Sequence, residues 1–262
     1  MMKEDTTRRA PAADRAVLIL DELAGSPRPL GVSDLARALQ APKSSVYGIC
    51  ETLAAAGVLR ADATGYSLTA HCLKWSAAYL QRSSIISEFQ HLLDMDRRLE
   101  DFTVTLSMLE RQQVVYLACR NSTKPLGFTF QIGMQLPAVY SATGKAMLAH
   151  LPENEVSAIL DLPWHPAFTA KSVRNASDFL STCRKWRHLG YAVEDGEIRD
   201  GMVCFGAPIL DDAGRPVFGV AISMTSEEAP TELRDRLGAL TRELADALQA
   251  ATGFSRLSDY DR

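Results

Sequence analysis

Residues 33–57, SDLARALQAPKSSVYGICETLAAAG, constrain the fold more than any other stretch of the chain. Leu35, Ala36 and Leu39 give a first short apolar helical face, with Ser33 as its N-cap and Asp34 in its first turn, where a carboxylate is favoured by the helix dipole. Pro42 suits the first position of a second helix, because that position has no intrahelical use for an N–H. Val46, Ile49, Cys50 and Leu53 then recur at i, i+3, i+4 and i+7, and Gly57 ends the run. Two short helices joined by a tight turn make a helix-turn-helix, a unit that lays its second helix in the major groove of DNA. Val58–Arg60 and Tyr66–Leu68 follow as two short strands around Asp62–Gly65, which adds a wing.

With the apolar residues inward, Lys43, Ser44, Ser45, Tyr47, Gly48 and Glu51 fall on or near the outer face of the second helix. Lys43 and the serines can donate to phosphates or bases, and Tyr47 can stack or hydrogen-bond. Arg37 on the preceding helix and Arg60 on the wing can reach phosphates. Gly48 costs about 1 kcal/mol against Ala in a helix. Either close approach of the backbone to a duplex or plain internal packing would account for it. A three-helix unit of this pattern also serves as a protein-interaction module, so both readings stand at this point.

The charge distribution leans the same way. The chain of 262 residues has net charge -4, yet residues 1–82 carry 10 Lys and Arg against 8 Asp and Glu, while the remainder carries 18 against 24. A surplus of two is too small for strong phosphate binding by one copy, so a local patch and dimerisation would have to supply it. A hydrophobic content of 47% with 23% charged residues indicates folded domains rather than disorder. No apolar run is long enough to span a membrane, and the charged start MMKEDTTRRAPAADR has no signal-peptide core. The five cysteines are scattered and odd in number, which argues against a disulfide framework and for a reducing, cytoplasmic setting.

Elsewhere, Val17, Leu20, Leu23 and Ala24 repeat at helical spacing before Gly25, and Leu73, Ala77 and Leu80 suggest a helix leaving the first domain. The expected organisation is a disordered arm over 1–13, a winged helix-turn-helix over 14–70, a linker helix over 71–82, a second domain over 83–252 and a tail over 253–262. The second domain opens with a helix, Ile85–Leu99. A hairpin, Thr103–Leu109 and Val114–Cys119, comes next. Helices follow at Ser141–His150 and Phe179–Leu189. Strands Val203–Leu210 and Pro216–Met224 flank the turn Asp211–Gly214, and a long amphipathic helix, Glu232–Ala250, closes the chain. This mixture is α+β with a mostly antiparallel sheet.

Three further segments, DRAVLILDELAG (14–25), GMQLPAVYSATGKAMLAHLP (133–152) and RHLGYAVEDGEIRDGMVCFGAPILDDAGRPVFGVAIS (187–223), join the helix-turn-helix in a resemblance that runs from about Asp14 to Leu248. The chain resembles the isocitrate lyase regulator (IclR) family of bacterial transcription factors. The resemblance implies a winged helix, a linker helix and a GAF-like effector-binding domain, assembled as a homodimer or homotetramer on a near-palindromic double-stranded operator. It also implies a small organic effector, often a carboxylic or aromatic acid. Its pocket maps onto Ala142, Thr143 and Gly144, then Glu194, Met202 and Cys204, then Ala221 and Ser223. A helix starting near Ser141 would seat a carboxylate on its free N–H groups. Ser223 would add a hydroxyl, and Met202 and Leu136 an apolar wall. Glu194 beside an anion is unfavourable unless it is protonated or turned toward backbone N–H groups.

Enzyme readings find little footing. Ala-Thr-Gly-Lys is not a phosphate loop, because Val139 and Ala146 stand where that loop needs Gly and Ser or Thr. Cys204 has no motif-linked histidine, and His71, His91, His150, His165 and His188 are isolated, so neither a metal nor a cofactor is indicated. A sensor that signals through protein contacts remains the other alternative.

Overall fold

The computed structural model describes residues 10–80, 84–124, 126 and 128–252. Its contacts divide the chain into two compact units, residues 1–82 and 83–262. The expected domain joint at 82 and the tail at 253–262 lie outside the described residues, as does most of the expected arm.

The first unit contains α1 (Pro11–Gly25), α2 (Val32–Ala38), α3 (Lys43–Ala55), the antiparallel pair β1 (Leu59–Asp62) and β2 (Gly65–Leu68), and α4 (His71–Leu80). Its core joins Ile19 and Leu23 of α1, Leu35 and Ala36 of α2, Val46 and Cys50 of α3, and Tyr66 of the wing. Several expectations shift. Residues 11–13 belong to α1, because Pro11 starts it at a position where its missing N–H costs nothing. Val17 and Ala24 point outward, and the buried pair is Ile19 and Leu23, one turn apart. Gly31, not Ser33, is the N-cap of α2, because Leu30 beside it is tied to Tyr66 of the wing. Pro42 caps α3 from just outside.

The second unit is built on one six-stranded antiparallel sheet, in the order β5-β4-β3-β8-β7-β6. Its strands are β3 (Thr103–Glu110), β4 (Gln113–Arg120), β5 (Gln135–Pro137), β6 (Ala192–Asp195), β7 (Met202–Leu210) and β8 (Pro216–Thr225). Helices α5 (Ser84–Met95) and α9 (Arg234–Thr252) cover one face, and α6 (Ala142–His150), α7 (Glu153–Leu160) and α8 (Ala176–Leu189) contribute to the core on the other. The expected helix to Leu99 stops at Met95, where Asp96 accepts the Arg98 N–H and starts a separate 3-10 turn. β5, β6 and α7 had no assignment from sequence.

Strand alternation sorts the two faces. Val104, Leu106, Val203, Phe205, Ala207, Val220 and Ile222 all point to the α5/α9 core. Their neighbours toward α6 are small or polar: Thr105 and Ser107 on β3, Cys204 and Gly206 on β7, Gly219, Ala221 and Ser223 on β8. A Cβ on Gly206 would overlap the Ala142 backbone, so this glycine lets the start of α6 lie directly on the sheet.

Candidate effector cavity and recognition helix

The recognition face begins with the exposed side chains of Lys43 and Ser44, ahead of Tyr47, which is 53% exposed. Ser45 is half-buried and accepts a hydrogen bond from Arg15 Nη1 at 3.1 Å. Arg15 therefore adds a cation beside the start of α3, a contribution invisible in sequence because 30 positions separate the two residues. A Cβ built on Gly48 meets nothing within 4 Å, so packing inside this chain does not explain the glycine. Glu51 is turned toward the wing, where its Oε1 accepts the Tyr66 hydroxyl at 2.8 Å and pins α3 to β2. Arg60 is exposed on β1, and Arg37 lies 3.7 Å from Asp34 in a solvent-exposed pair.

In the second unit, α6 is buried on every side, Ala142 through Ala149. Ser141 caps it, its Oγ accepting the Gly144 N–H at 3.1 Å while its carbonyl takes the Lys145 N–H. The N–H groups of Ala142 and Thr143 belong to the first turn, which has no intrahelical acceptors. Ser107 Oγ donates to Thr143 Oγ1 at 2.8 Å and ties this start to β3.

Between the α6 start and the sheet lies a small hollow with free space of about 10 Å³, room for about one water. Ala142, Thr143, Glu194, Met202, Cys204, Ala221 and Ser223, seven of the eight positions suggested by the resemblance, line it, and so does Leu136, expected as an apolar wall. Gly144 is the exception. It faces away from the hollow, where its missing side chain admits the backbone of Ala138. Sequence reasoning missed Thr105, Tyr116, Phe130 and Ile198, and used Ser141 only as a helix start. Tyr116 and Phe130 form an aromatic wall, their rings 5.1 Å apart.

One row crosses three strands of this face: Glu194 pairs with Cys204, and Cys204 with Ser223. Glu194 is fully buried. Its Oε1 accepts the Glu197 N–H at 2.6 Å and the Ile198 N–H at 3.0 Å. The turn toward backbone N–H groups foreseen for this carboxyl is thus present, while burial pushes its pKa above the ordinary value, opposed by the Ile198 N–H, Cys204 and Lys145. Among the described residues Glu194 Oε2 and Ser223 Oγ have no close hydrogen-bond partner; the Cys204 thiol, between them in the row, is the polar group that interacts with each side chain. Burial, reinforced by Glu194, holds the Cys204 thiol well above its usual range, the reverse of what a nucleophilic cysteine needs. None of the five histidines lines the hollow.

The turn after β6 is held from two sides. Lys145 Nζ, buried in α6, donates to Glu197 Oε1 at 2.5 Å and to the Val193 carbonyl at 3.1 Å, and lies 5.5 Å from the Trp186 ring centre. Ser172 Oγ donates to the Glu197 carbonyl from the opposite side.

Two family models match this chain. The IclR helix-turn-helix domain covers residues 12–63, and the C-terminal domain of bacterial transcriptional regulator IclR covers 77–250. The chain belongs to the IclR family. Like other members, it is a DNA-binding transcriptional regulator with an α+β second domain. The glycerol operon regulatory protein of Streptomyces coelicolor is 30% identical over 254 residues, covering 95% of this chain and 99% of that protein. The crystal structure of the Agobacterium tumefaciens repressor BlcR is 39% identical, covers 94% of this chain and 98% of its own, and superposes with a TM-score of 0.62. An IclR homologue from Microbacterium hydrocarbonoxydans, solved with 4-hydroxybenzoate, shares the fold at a TM-score of 0.74 with 19% identity, over 91% of this chain and 98% of that one.

Proposed function

We propose that this regulator binds a small organic acid in the hollow beneath α6 and that occupancy changes its affinity for a near-palindromic operator. The observation that carries this reading is a pair of buried polar atoms, Glu194 Oε2 and Ser223 Oγ, whose polar neighbour is the weakly hydrogen-bonding Cys204 thiol, on a cavity that also holds the start of α6. Buried polar groups ordinarily have partners, and a ligand of complementary polarity would supply them. A carboxylate of the ligand would lie on the Ala142 and Thr143 N–H groups, favoured by the helix dipole. Tyr116, Phe130, Leu136 and Met202 would enclose its apolar part after moving apart, because the hollow holds only about one water in this structure. The relative crystallised with 4-hydroxybenzoate is consistent with a small organic acid.

On the DNA side, Lys43, Ser44, Tyr47 and the Gly48 backbone would meet the major groove. Arg15, Arg37 and Arg60 would reach phosphates, with Ser45 held by Arg15. A homodimer or homotetramer is supported by apolar residues left outside the first unit's core: Val17 and Leu18 on α1, and Leu73 and Trp75 on α4, a helix with no buried residue. Two-fold protein symmetry then asks for two-fold operator symmetry. The effector acts by binding two subunit arrangements unequally, and operator DNA must shift effector affinity by the same factor. The joint over 73–85, part of which lies outside the described residues, is the proposed carrier of that change. Among the described residues no helix is long and apolar enough to cross a membrane, in keeping with a cytoplasmic site of action.

Ser223→Ala tests the pocket. Loss of one hydrogen bond to a charged group, about 1.5 kcal/mol, should raise the concentration of the active acid needed to change operator binding by roughly tenfold. Operator affinity without the acid should be unchanged. A titration of labelled operator complex with short aliphatic and aromatic acids measures both, and an unaltered response removes Ser223 from the pocket.

A further inference from the structure

The lining of the α6 hollow has a feature that an anion-binding site should not tolerate: among the described residues it contains a carboxyl group and no basic side chain. Glu194 is fully buried, and the ionisable groups facing it offer no free positive charge. Lys145, from α6, is committed to Glu197 Oε1 and the Val193 carbonyl. Glu197, on the same turn, is itself an acid. Tyr116 from β4 and Cys204 from β7 are held neutral by burial. An ionised Glu194 and an anionic ligand would share one desolvated hollow, where like charges repel strongly.

The two oxygens of Glu194 are not equivalent. Oε1 accepts two backbone N–H bonds and is saturated as an acceptor; Oε2 has no close partner among the described residues, the carboxyl's other polar neighbour being the weakly donating Cys204 thiol. A proton on Oε2 turns this acceptor into a donor on the cavity wall. From this geometry, and resting on the effector reading above, we propose that Glu194 receives the effector as a neutral acid, Oε2–H donating to a ligand oxygen. Binding of an anion is therefore coupled to protonation of Glu194. Only a proton moves: where Glu194 is ionised in the ligand-free protein, a hydronium ion gives its proton to Oε2 and leaves water as the anion enters.

The linkage has a definite sign. Below the Glu194 titration of the ligand-free protein, affinity for a fully ionised acid is level; above it, affinity falls tenfold for each pH unit, one proton per anion. Glu194→Gln is the diagnostic variant. Its amide oxygen still accepts from Glu197 and Ile198, and its NH₂ group donates at any pH. The experiment is calorimetric titration of the full-length protein and of E194Q with acetate, succinate, benzoate and 4-hydroxybenzoate, from about pH 6 to about pH 9. It is paired with the infrared difference between the two proteins in the carboxylic acid C=O region. We expect a neutral-carboxyl band in the wild type with acid bound, falling affinity in the wild type as pH rises, and a flat profile in E194Q at the wild-type low-pH level. Parallel profiles, loss of binding in E194Q at every pH, or no neutral-carboxyl band would overturn the proposal. If none of the four acids binds either protein while the ligand-free wild type shows the band, the effector reading itself fails and the coupling with it.

Discussion

Lys145→Ala is expected to destabilise the C-terminal unit by about 3–5 kcal/mol, the cost of leaving one member of a buried ion pair without the other. Both side chains are withdrawn from water, at 2% and 17% exposure. Burial already pushes Glu197 above its ordinary pKa, and Lys145 is the principal influence in the other direction. Without the lysine, Glu197 must take a proton or keep an uncompensated charge. The damage extends beyond the pair, because the Glu197 and Ile198 N–H groups hold Glu194 Oε1. Loosening that turn would release the carboxyl that closes one side of the cavity. Denaturant unfolding followed by tryptophan fluorescence suits the measurement, since Trp186 lies beside Lys145. A loss below about 1 kcal/mol, the range of a solvated surface pair, would mean the pair is hydrated and does not hold the turn.

Gly48→Leu should fold at least as well as the parent and lose operator affinity by roughly 100-fold or more. The folding half follows from helix chemistry: Gly costs about 1 kcal/mol against Leu or Ala in a helix interior, and beyond the backbone of α3 itself no described atom stands within 4 Å of the added Cβ. The binding half follows from position. Gly48 is one turn beyond Ser44 on the exposed face of α3, where a leucine would hold the helix away from the bases. A penalty of about 1–3 kcal/mol per half-site, incurred twice in a dimer, gives that loss. Gly48→Ala, a smaller intrusion with the same helix gain, should fall between. Unchanged affinity in Gly48→Leu would place this residue off the duplex.

The parts of the molecule legible in sequence share a property: their signal is local and periodic. Val46 and Cys50 announce the buried side of α3, and Ser141 announces a helix start that the structure keeps. Where helix ends shifted by a residue or two, a tertiary tie decided the outcome, as with Leu30 and Tyr66 at the start of α2. The short strands β5 and β6 carry too few residues for alternation to register.

The cavity was legible in part, and mostly through family resemblance. Glu194, Cys204 and Ser223 lie far apart in sequence and become neighbours only through strand register. Thr105 had a usable signal, because TVTLS over 103–107 alternates small polar with branched apolar residues and so marks a strand with one polar face. Phe130 had none. It sits in an aperiodic segment fixed by Asn121, whose amide group bonds both the N–H and the carbonyl of Phe130. Arg15 escaped for the same reason in the first unit, since its role near α3 depends on how α1 packs.

Ligand-tunable operator recognition by paired winged helices is the centre of this account, and its DNA half admits a direct measurement. Duplexes selected by the full-length protein from a randomised pool would be sequenced, and the enriched duplex titrated by fluorescence anisotropy over a series of salt concentrations. The account predicts two related half-sites in inverted orientation and an affinity that falls steeply with salt, as phosphate neutralisation requires. An unenriched pool, or binding indifferent to salt and sequence, would contradict it.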